Sequence, residues 1–470
     1  MTAASMIAAL ALAQATAPAS APVPSLPPAV QLGTRYPVLT LAQALKDARL
    51  QNLDIQQAEA RLQQARQLSW KAWSFYLPQI TASGTYTRNN IGAAISLPTG
   101  YNVVDTGQLG PPPPQGTATT FVTGTPTGFQ TAEIQTRDQL GAQAQVSQAI
   151  LAPALWPAIA NAYTAEKVVE LNVENARREV LFGVAAAYYG AAGLKQAMEV
   201  TERQLVIARE HERDARVRYD AGTSPKVALL RAEIDRAQAE QDLKRAQNAF
   251  LQAKQALATA LDRQPDFDVE PPPSPQVPKV EDPEQMALRD RPDVLAAQKS
   301  LVLAEGQRDA IYYQYAPSIG AFAWYRWTNV TGFTGSETAW ALGLALTWNV
   351  FDGGLREAQL RENRARVVEA DAARRASEAR AVDEVRRSQL DLDSAFANRE
   401  KAKEKVALAR ETNSLTEINY KAGAATYLET TDALESLRSA ELGLVAESLN
   451  ADLAALRLLK AMGAFREVNQ

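Results

Sequence analysis

A chain of 470 residues with 49 Lys and Arg against 53 Asp and Glu, and a net charge of −4, carries no basic surplus, so a nucleic-acid partner is not expected. It has no Cys, which excludes disulfides, thiolate metal sites, Cys nucleophiles and a lipidated N-terminal Cys, and a single His, His211, which nearly excludes His-based metal or acid–base chemistry. Mean hydropathy is −0.25, and past the N-terminus there is no apolar run of about 20 residues, so no transmembrane helix is expected.

The N-terminal stretch SMIAALALAQATAPASA pairs a short apolar core with small residues in A-x-A spacing (Ala11-Leu12-Ala13, Ala15-Thr16-Ala17). It reads as a secretory signal over 1–17, with the true start upstream because no Lys or Arg precedes it, followed by a Pro/Ala-rich extended segment over 18–37.

From here the chain resembles itself. NLDIQQAEARLQQAR…WSFYLPQITA, from Asn52, matches RPDVLAAQKSLVLAE…IYYQYAPSIGA, from Arg291; Asp54 pairs with Asp293 and Tyr76 with Tyr315, both 239 residues apart. Farther on, Tyr219 stands opposite Tyr420 and Gly222 opposite Gly423, both 201 apart. The difference of 38 is an insertion in the first half, located in the Gly/Thr/Pro-rich loop 89–137. A first repeat therefore spans 38–264, a Pro-rich linker 265–281, a second repeat 282–463 and a short tail 464–470.

Each repeat reads helix, strand, loop, strand, long helix, Gly break, helix. Strands are predicted at 79–88 and 139–151, then at 318–327 and 339–351, where apolar and small or polar residues alternate with period two. In AWALGLALTWNVF (339–351), Trp340, Leu342, Leu344, Leu346, Trp348 and Val350 share one face, opposite Ala341, Gly343, Ala345, Thr347 and Asn349. The third strand is less tidy: Phe322 and Trp324 fall on the face opposite Tyr325 and Trp327. Pro-free helical stretches follow at about 159–220 and 355–421, each on the order of 90–100 Å long, rich in Ala where a packed coiled coil carries Leu. His211 lies in the charged run AREHERDAR and reads as a solvated helix side chain. The helices break at Gly222 and Gly423. Ser224-Pro225 then predicts an N-cap followed by Pro at the first helical position, and Thr426-x-x-Glu429 has capping-box spacing. Asp352-Gly353-Gly354 reads as a strand-to-helix turn without chemistry.

A strand face this apolar suits lipid. An open four-stranded sheet there would leave two edges of unpaired N–H and C=O groups costing several kcal/mol apiece. That is far beyond a net stability of about 5–15 kcal/mol. Four strands cannot close alone, so other copies must supply the rest; the small, polar inward residues favour twelve strands from three copies over eight from two. A soluble hairpin layer packed on the helices is the competing expectation.

DRPDV (290–294), YLP (76–78), YAPSI (315–319), LTWNVFDGG (346–354), RYDAG (218–222) and NYKAG (419–423), in duplicated order over about 38–463, resemble the TolC-like outer membrane efflux proteins. The resemblance implies an α+β membrane protein with no enzymatic activity, catalytic residue, metal or cofactor. It would be a homotrimeric channel: a twelve-stranded transmembrane β-barrel, four strands per chain, continuous with a long periplasmic α-helical barrel. It would sit in the outer membrane lipid of a Gram-negative bacterium and extend into the periplasm. There it would meet a periplasmic adaptor protein and an inner-membrane pump, as the exit duct of a tripartite efflux or type I secretion system. The 89–137 loop would be extracellular.

Residue by residue, the resemblance places an acidic, cation-selective ring at the periplasmic entrance on Glu429 and Asp432, whose mutual repulsion is expected to raise some of their pKa values. Gly222 and Gly423 become the helix breaks at the periplasmic tip. Tyr420 stands where the family has a tyrosine that helps hold the entrance shut through an Asp; that Asp position is Ala228 here, and a gate arginine is replaced by Ala425. Lys226 and Arg231 are the remaining gate contacts, with Arg231 expected to pair with Glu429 or Asp432 across neighbouring helices. The rival function is an exported coiled-coil tether that forms no channel, which predicts a soluble monomer or dimer.

Overall fold

The structure, a computed structural model, describes residues 36–103 and 124–465. The signal peptide expected over 1–17, nearly all of the 18–37 segment, the centre of the insertion and the end of the tail lie outside the described residues. In chain order the elements are β1 (Val38–Leu39), α1 (Leu41–Gln51), α2 (Leu53–Ser74), β2 (Gln79–Arg88), β3 (Ala93–Val103), β4 (Gly124–Gln135), β5 (Asp138–Leu151), α3 (Leu155–Asp220) and α4 (Lys226–Ala260). They continue with β6 (Asp268–Val269), α5 (Pro283–Asp290), α6 (Pro292–Tyr313), β7 (Ser318–Thr328), β8 (Thr338–Thr347), α7 (Leu355–Lys421) and α8 (Tyr427–Ala461). The long helices α3 and α7 have 66 and 67 residues, each about 100 Å at 1.5 Å per residue. The described residues fall into two compact units: one takes in the chain up to Gln56, Arg177–Glu281 and everything from Arg386, the other Gln57–Ala176 and Asp282–Val385.

The second unit carries an antiparallel sheet in the order β2-β5-β7-β8. Ile80 pairs with Val146, Ala144 with Tyr325, and Tyr325 with Trp340, so the apolar positions of all four strands fall on one face. The other face is Gln, Ser, Thr, Ala and Gly, apart from Phe322, Trp324 and Arg326 on β7. Phe322 is accommodated there because its ring lies across Gly343, where a Cβ would stand 2.8 Å from it. β2 and β8 are the edges.

Two expectations need correction here. The 89–137 insertion is not all loop: β3 and β4 form an antiparallel hairpin of their own, with register shifts around Pro98 and Gly100. Its Gly and Pro content reads as coil, yet Thr is at home in strands and both prolines of the hairpin strands, Pro98 and Pro126, sit at irregularities of the ladder, where a missing N–H costs least. The last strand stops at Thr347, not 351, because Trp348 turns its indole N–H to the Tyr315 carbonyl at 3.0 Å and leaves the ladder.

In the same unit, α6 rests on the first part of α3, where Gly306 leaves room that Asn161 fills. The Arg291 guanidinium, ahead of α6, bridges Asp293 at 2.9 Å and Glu384 of α7 at 2.7 Å. At the start of α7, the Asp352 carboxylate accepts from the Gly354, Leu355 and Arg356 N–H groups. The buried Arg356 side chain donates to Asp352 at 2.8 Å and to the Gln314 and Val350 carbonyls, and stacks 4.2 Å from the Tyr315 ring centre. The Asp-Gly-Gly turn is thus the anchor of the sheet-to-helix passage, foreshadowed by an Asp four residues before an Arg at a helix start.

The first unit is cored by Leu45, Ala185, Phe250, Leu257, Leu261 and Phe267, drawn from α1, α3, α4 and the segment after α4. Burying the Leu and Phe side chains among them contributes about 1.5–3 kcal/mol each. β1 and β6 pair in parallel, and the buried Tyr188 hydroxyl donates to the Leu39 carbonyl at 2.6 Å, locking α3 onto that short ladder.

Candidate functional site

Two places hold the functional candidates, each within one unit. In the first unit, α3 ends at Asp220 and α7 at Lys421, and Gly222 and Gly423 just beyond them have φ of +74° and +77°. The N–H of Gly222 reaches the Tyr219 carbonyl and that of Thr223 the Arg218 carbonyl; Gly423 and Ala424 do the same to Tyr420 and Asn419. These paired bonds close both helix ends with a left-handed residue that only glycine adopts cheaply. Helix α4 restarts differently from the expectation: Pro225 is itself the N-cap, with extended backbone and no side-chain cap. The Ser224 N–H is already bent back to the Arg218 carbonyl, so Ser224 belongs to the turn. At α8 the capping box forms as the spacing predicts: Thr426 Oγ1 accepts from the Glu429 N–H, while Glu429 Oε2 accepts from the Thr426 N–H at 2.7 Å.

Glu429 and Asp432 are both exposed on α8. Hydrogen bonds from the Thr426 amide and hydroxyl hold the Glu429 carboxyl below the usual glutamate range. The repulsion expected from sequence requires other copies and acts in the opposite direction. Lys226 and Arg231 are exposed and form no ion pair among the described residues. Tyr420 is half-buried under the Arg218 guanidinium, 4.7 Å from its ring centre, and meets Tyr427 edge-on at 6.4 Å.

Tyr427 is the residue the sequence does not single out. Its hydroxyl donates to Asp235 Oδ2 at 2.9 Å, tying α8 to α4. Burial first, and then that carboxylate, pushes the phenol well up. Asp235 lies two helical turns beyond Ala228 on α4, whereas Tyr427 opens α8 across the Gly423 turn from Tyr420, which is near the end of α7. No spacing in the sequence points to this link, because its partners are 192 residues apart on different helices. His211, expected to be solvated, instead packs edge-on against Tyr427 at 6.4 Å. Burial lowers its pKa against the opposing pull of Glu417, Asp214, Glu210 and Asp235. His211, Asp235, Tyr427, Asp432 and Arg438 line a cavity of about 310 Å³. Cross-helix ion pairs set the register: Arg216–Glu233 and Arg236–Glu212 join α3 to α4, Arg438–Asp242 joins α4 to α8, and Arg410–Glu441 joins α7 to α8. Among the described residues no group of three or more His, Asp or Glu is placed to hold a metal ion.

In the second unit the candidate is the sheet itself. Trp340, Leu342, Leu344 and Leu346 are 76%, 75%, 70% and 67% exposed, and Ile80, Tyr86, Val146 and Tyr325 are exposed on the same face. Aromatic side chains collect where strands meet helices: Trp73, Phe75, Tyr315 and Trp348 are exposed there, and Tyr76 is half-buried among them. Among the described residues no helix is long and apolar enough to cross a membrane.

A family model described as outer membrane efflux protein matches residues 155–263 and 284–464, more than half of the chain. No curated protein matches the sequence. Among solved structures, the outer membrane protein VceC of Vibrio cholerae superposes with a TM-score of 0.69 at 21% identity, covering 90% of this chain and 96% of its own. A membrane protein of Pseudomonas aeruginosa gives 0.70 at 19%, covering 90% and 93%. The MtrE outer membrane channel of Neisseria gonorrhoeae gives 0.68 at 19%, covering 92% and 90%. At these identities the likeness is one of fold.

Proposed function

The chain belongs to the family of outer membrane efflux proteins, and from that premise we propose that it is the exit duct of a tripartite efflux pump or type I secretion system in a Gram-negative outer membrane. Three copies close one barrel of twelve strands, and their long helices form a tube in the periplasm that receives substrate from an adaptor and an inner-membrane pump. The two sequence halves, 38–264 and 282–463, are repeats of one design, joined by the 265–281 linker. Selection of cargo belongs to the partners upstream.

One observation carries this proposal. The four-stranded sheet exposes its apolar face and leaves two unlike edges, β2 and β8, without a partner strand among the described residues. In hydrocarbon such edges are untenable. Because the two edges differ, β2 of one copy pairs with β8 of the next, a head-to-tail contact that closes into a ring. At the entrance, Glu429 and Asp432 from three chains form an acidic ring, and Arg231 pairs with one of them from a neighbouring helix to hold the resting state shut.

The natural absence of Cys makes the test clean. Ser83 and Ala341 lie on the same face of the two edges. Ser83→Cys is combined in turn with Cys at Ala341, Gly343 or Ala345, since a disulfide requires Cα atoms about 4.4–6.8 Å apart. A covalent three-chain species in the outer membrane fraction is expected from at least one pair. Only monomer, or a two-chain species in the soluble periplasmic fraction, would sink the channel and favour the tether.

A further inference from the structure

The polar face of the sheet contains one ionisable residue. On β2, β5 and β8 that face carries only Gln, Ser, Thr, Ala and Gly, while β7 presents Phe322, Trp324 and Arg326 at alternate positions. Arg326 stands between Gln143 of β5 and Ala339 of β8, and neither can neutralise it. It is exposed and makes no ion pair among the described residues. The other arginine of this sheet, Arg88, lies on the apolar face and meets Asp138 at 3.5 Å. The two are therefore treated differently by the fold: one is paired where lipid would punish a bare charge, the other is left bare where water is expected.

The neighbours of Arg326 extend the pattern. Its guanidinium lies 5.7 Å from the Trp324 ring centre, close enough for the ring to steer it. On the β8 side Ala341 and Ala339 face Trp324 and Arg326, while the Phe322 ring covers Gly343, so small side chains leave a shallow trough beside the Trp324-Arg326 pair that Phe322 closes at one end. A trough with an aromatic wall and a guanidinium at its end fits a flat apolar group joined to a negative one.

We propose that Arg326, with Trp324 behind it, forms an anion-holding station in the lumen of the barrel, selective for organic anions that carry an aromatic ring. The proposal rests on the three-copy channel proposed above, in which three guanidiniums share one level. Rings of like charge concentrate the opposite ion inside a pore. Screening bounds the effect: the Debye length is about 10 Å at 0.1 M salt and about 3 Å at 1 M, so the station acts at low salt and fades at high.

The experiment is single-channel recording of the purified, reconstituted protein in a KCl gradient at low salt, with naphthalene-2-sulfonate as the probe anion. The acidic entrance sets an overall cation preference, so the quantity read is the change between variants. Arg326→Gln is expected to lower the chloride-to-potassium permeability ratio about two-fold or more and to abolish block by the probe. Arg326→Lys keeps the ratio, and Trp324→Ala weakens the block while leaving the ratio. An open channel whose ratio and block are unchanged in Arg326→Gln overturns the anion station but leaves the channel standing. Absence of any conductance from both the unaltered protein and Arg231→Ala, whose entrance is expected to open, overturns the channel and the station with it.

Discussion

Charging His211 means placing a proton on a ring packed edge-on against Tyr427 and partly withdrawn from water. Its folded pKa lies below the ordinary imidazole value, so as pH falls the unfolded chain takes up the proton first. Stability is therefore lost as pH drops through about 6.5 and levels off once the folded ring is protonated too. Hydrogen exchange of the first turn of α8 between pH 8 and 5 should show faster opening at the acid end in the unaltered protein, with a flatter profile in His211→Asn; identical profiles would refute the coupling. The sequence offered little warning of this cluster. Glu429 bonds to a residue three positions away, so its cap is readable from spacing, whereas Tyr427 and Asp235 are 192 residues apart and meet only through the phase of two packed helices.

At the scale of elements, glycine was the most readable signal. Nothing lies within 4 Å of a Cβ built on Gly222 or Gly423, so replacing either tests backbone conformation alone. Gly222→Ala and Gly423→Ala should each cost about 1–2 kcal/mol, and the Asn variants less, because Asn tolerates the left-handed region. Denaturant titration followed by helical circular dichroism measures this; Ala and Asn variants of equal stability would contradict it. The four sheet strands were legible because period two survives even where Phe322 breaks the polarity rule. The hairpin in the insertion was not legible, since a ladder between β3 and β4 overrides the coil tendency of Gly and Pro. Nor was the start of α4: Ser-Pro spacing permits two cap assignments, and the hydrogen bond from Ser224 back to Arg218 selects one.

At the scale of the whole molecule, the sequence spoke through what one chain cannot do alone. Counting strands and unpaired edges leads to the proposed ring of copies, an argument from hydration energy that needs no coordinates. It could not reach the gate, because contacts between copies have no trace in the spacing of one chain. If Arg231 holds Glu429 or Asp432 of a neighbour, Arg231→Ala should raise single-channel conductance, while Glu429→Gln with Asp432→Asn should reduce cation preference. Conductance unchanged by Arg231→Ala would mean that the entrance is closed by other contacts, with the Tyr427–Asp235 bond the first to examine.

In the proposed three-copy ring, the two unlike edges of the sheet would have a genetic consequence. A subunit with a sound β2 and a spoiled β8 can still join a ring through its good edge, yet it leaves a seam that nothing can close. Expressed equally beside normal subunits, it leaves about one ring in eight free of the defect if subunits mix at random. Mutations that blunt one edge should therefore be dominant, and mutations that prevent the sheet from forming at all should be recessive.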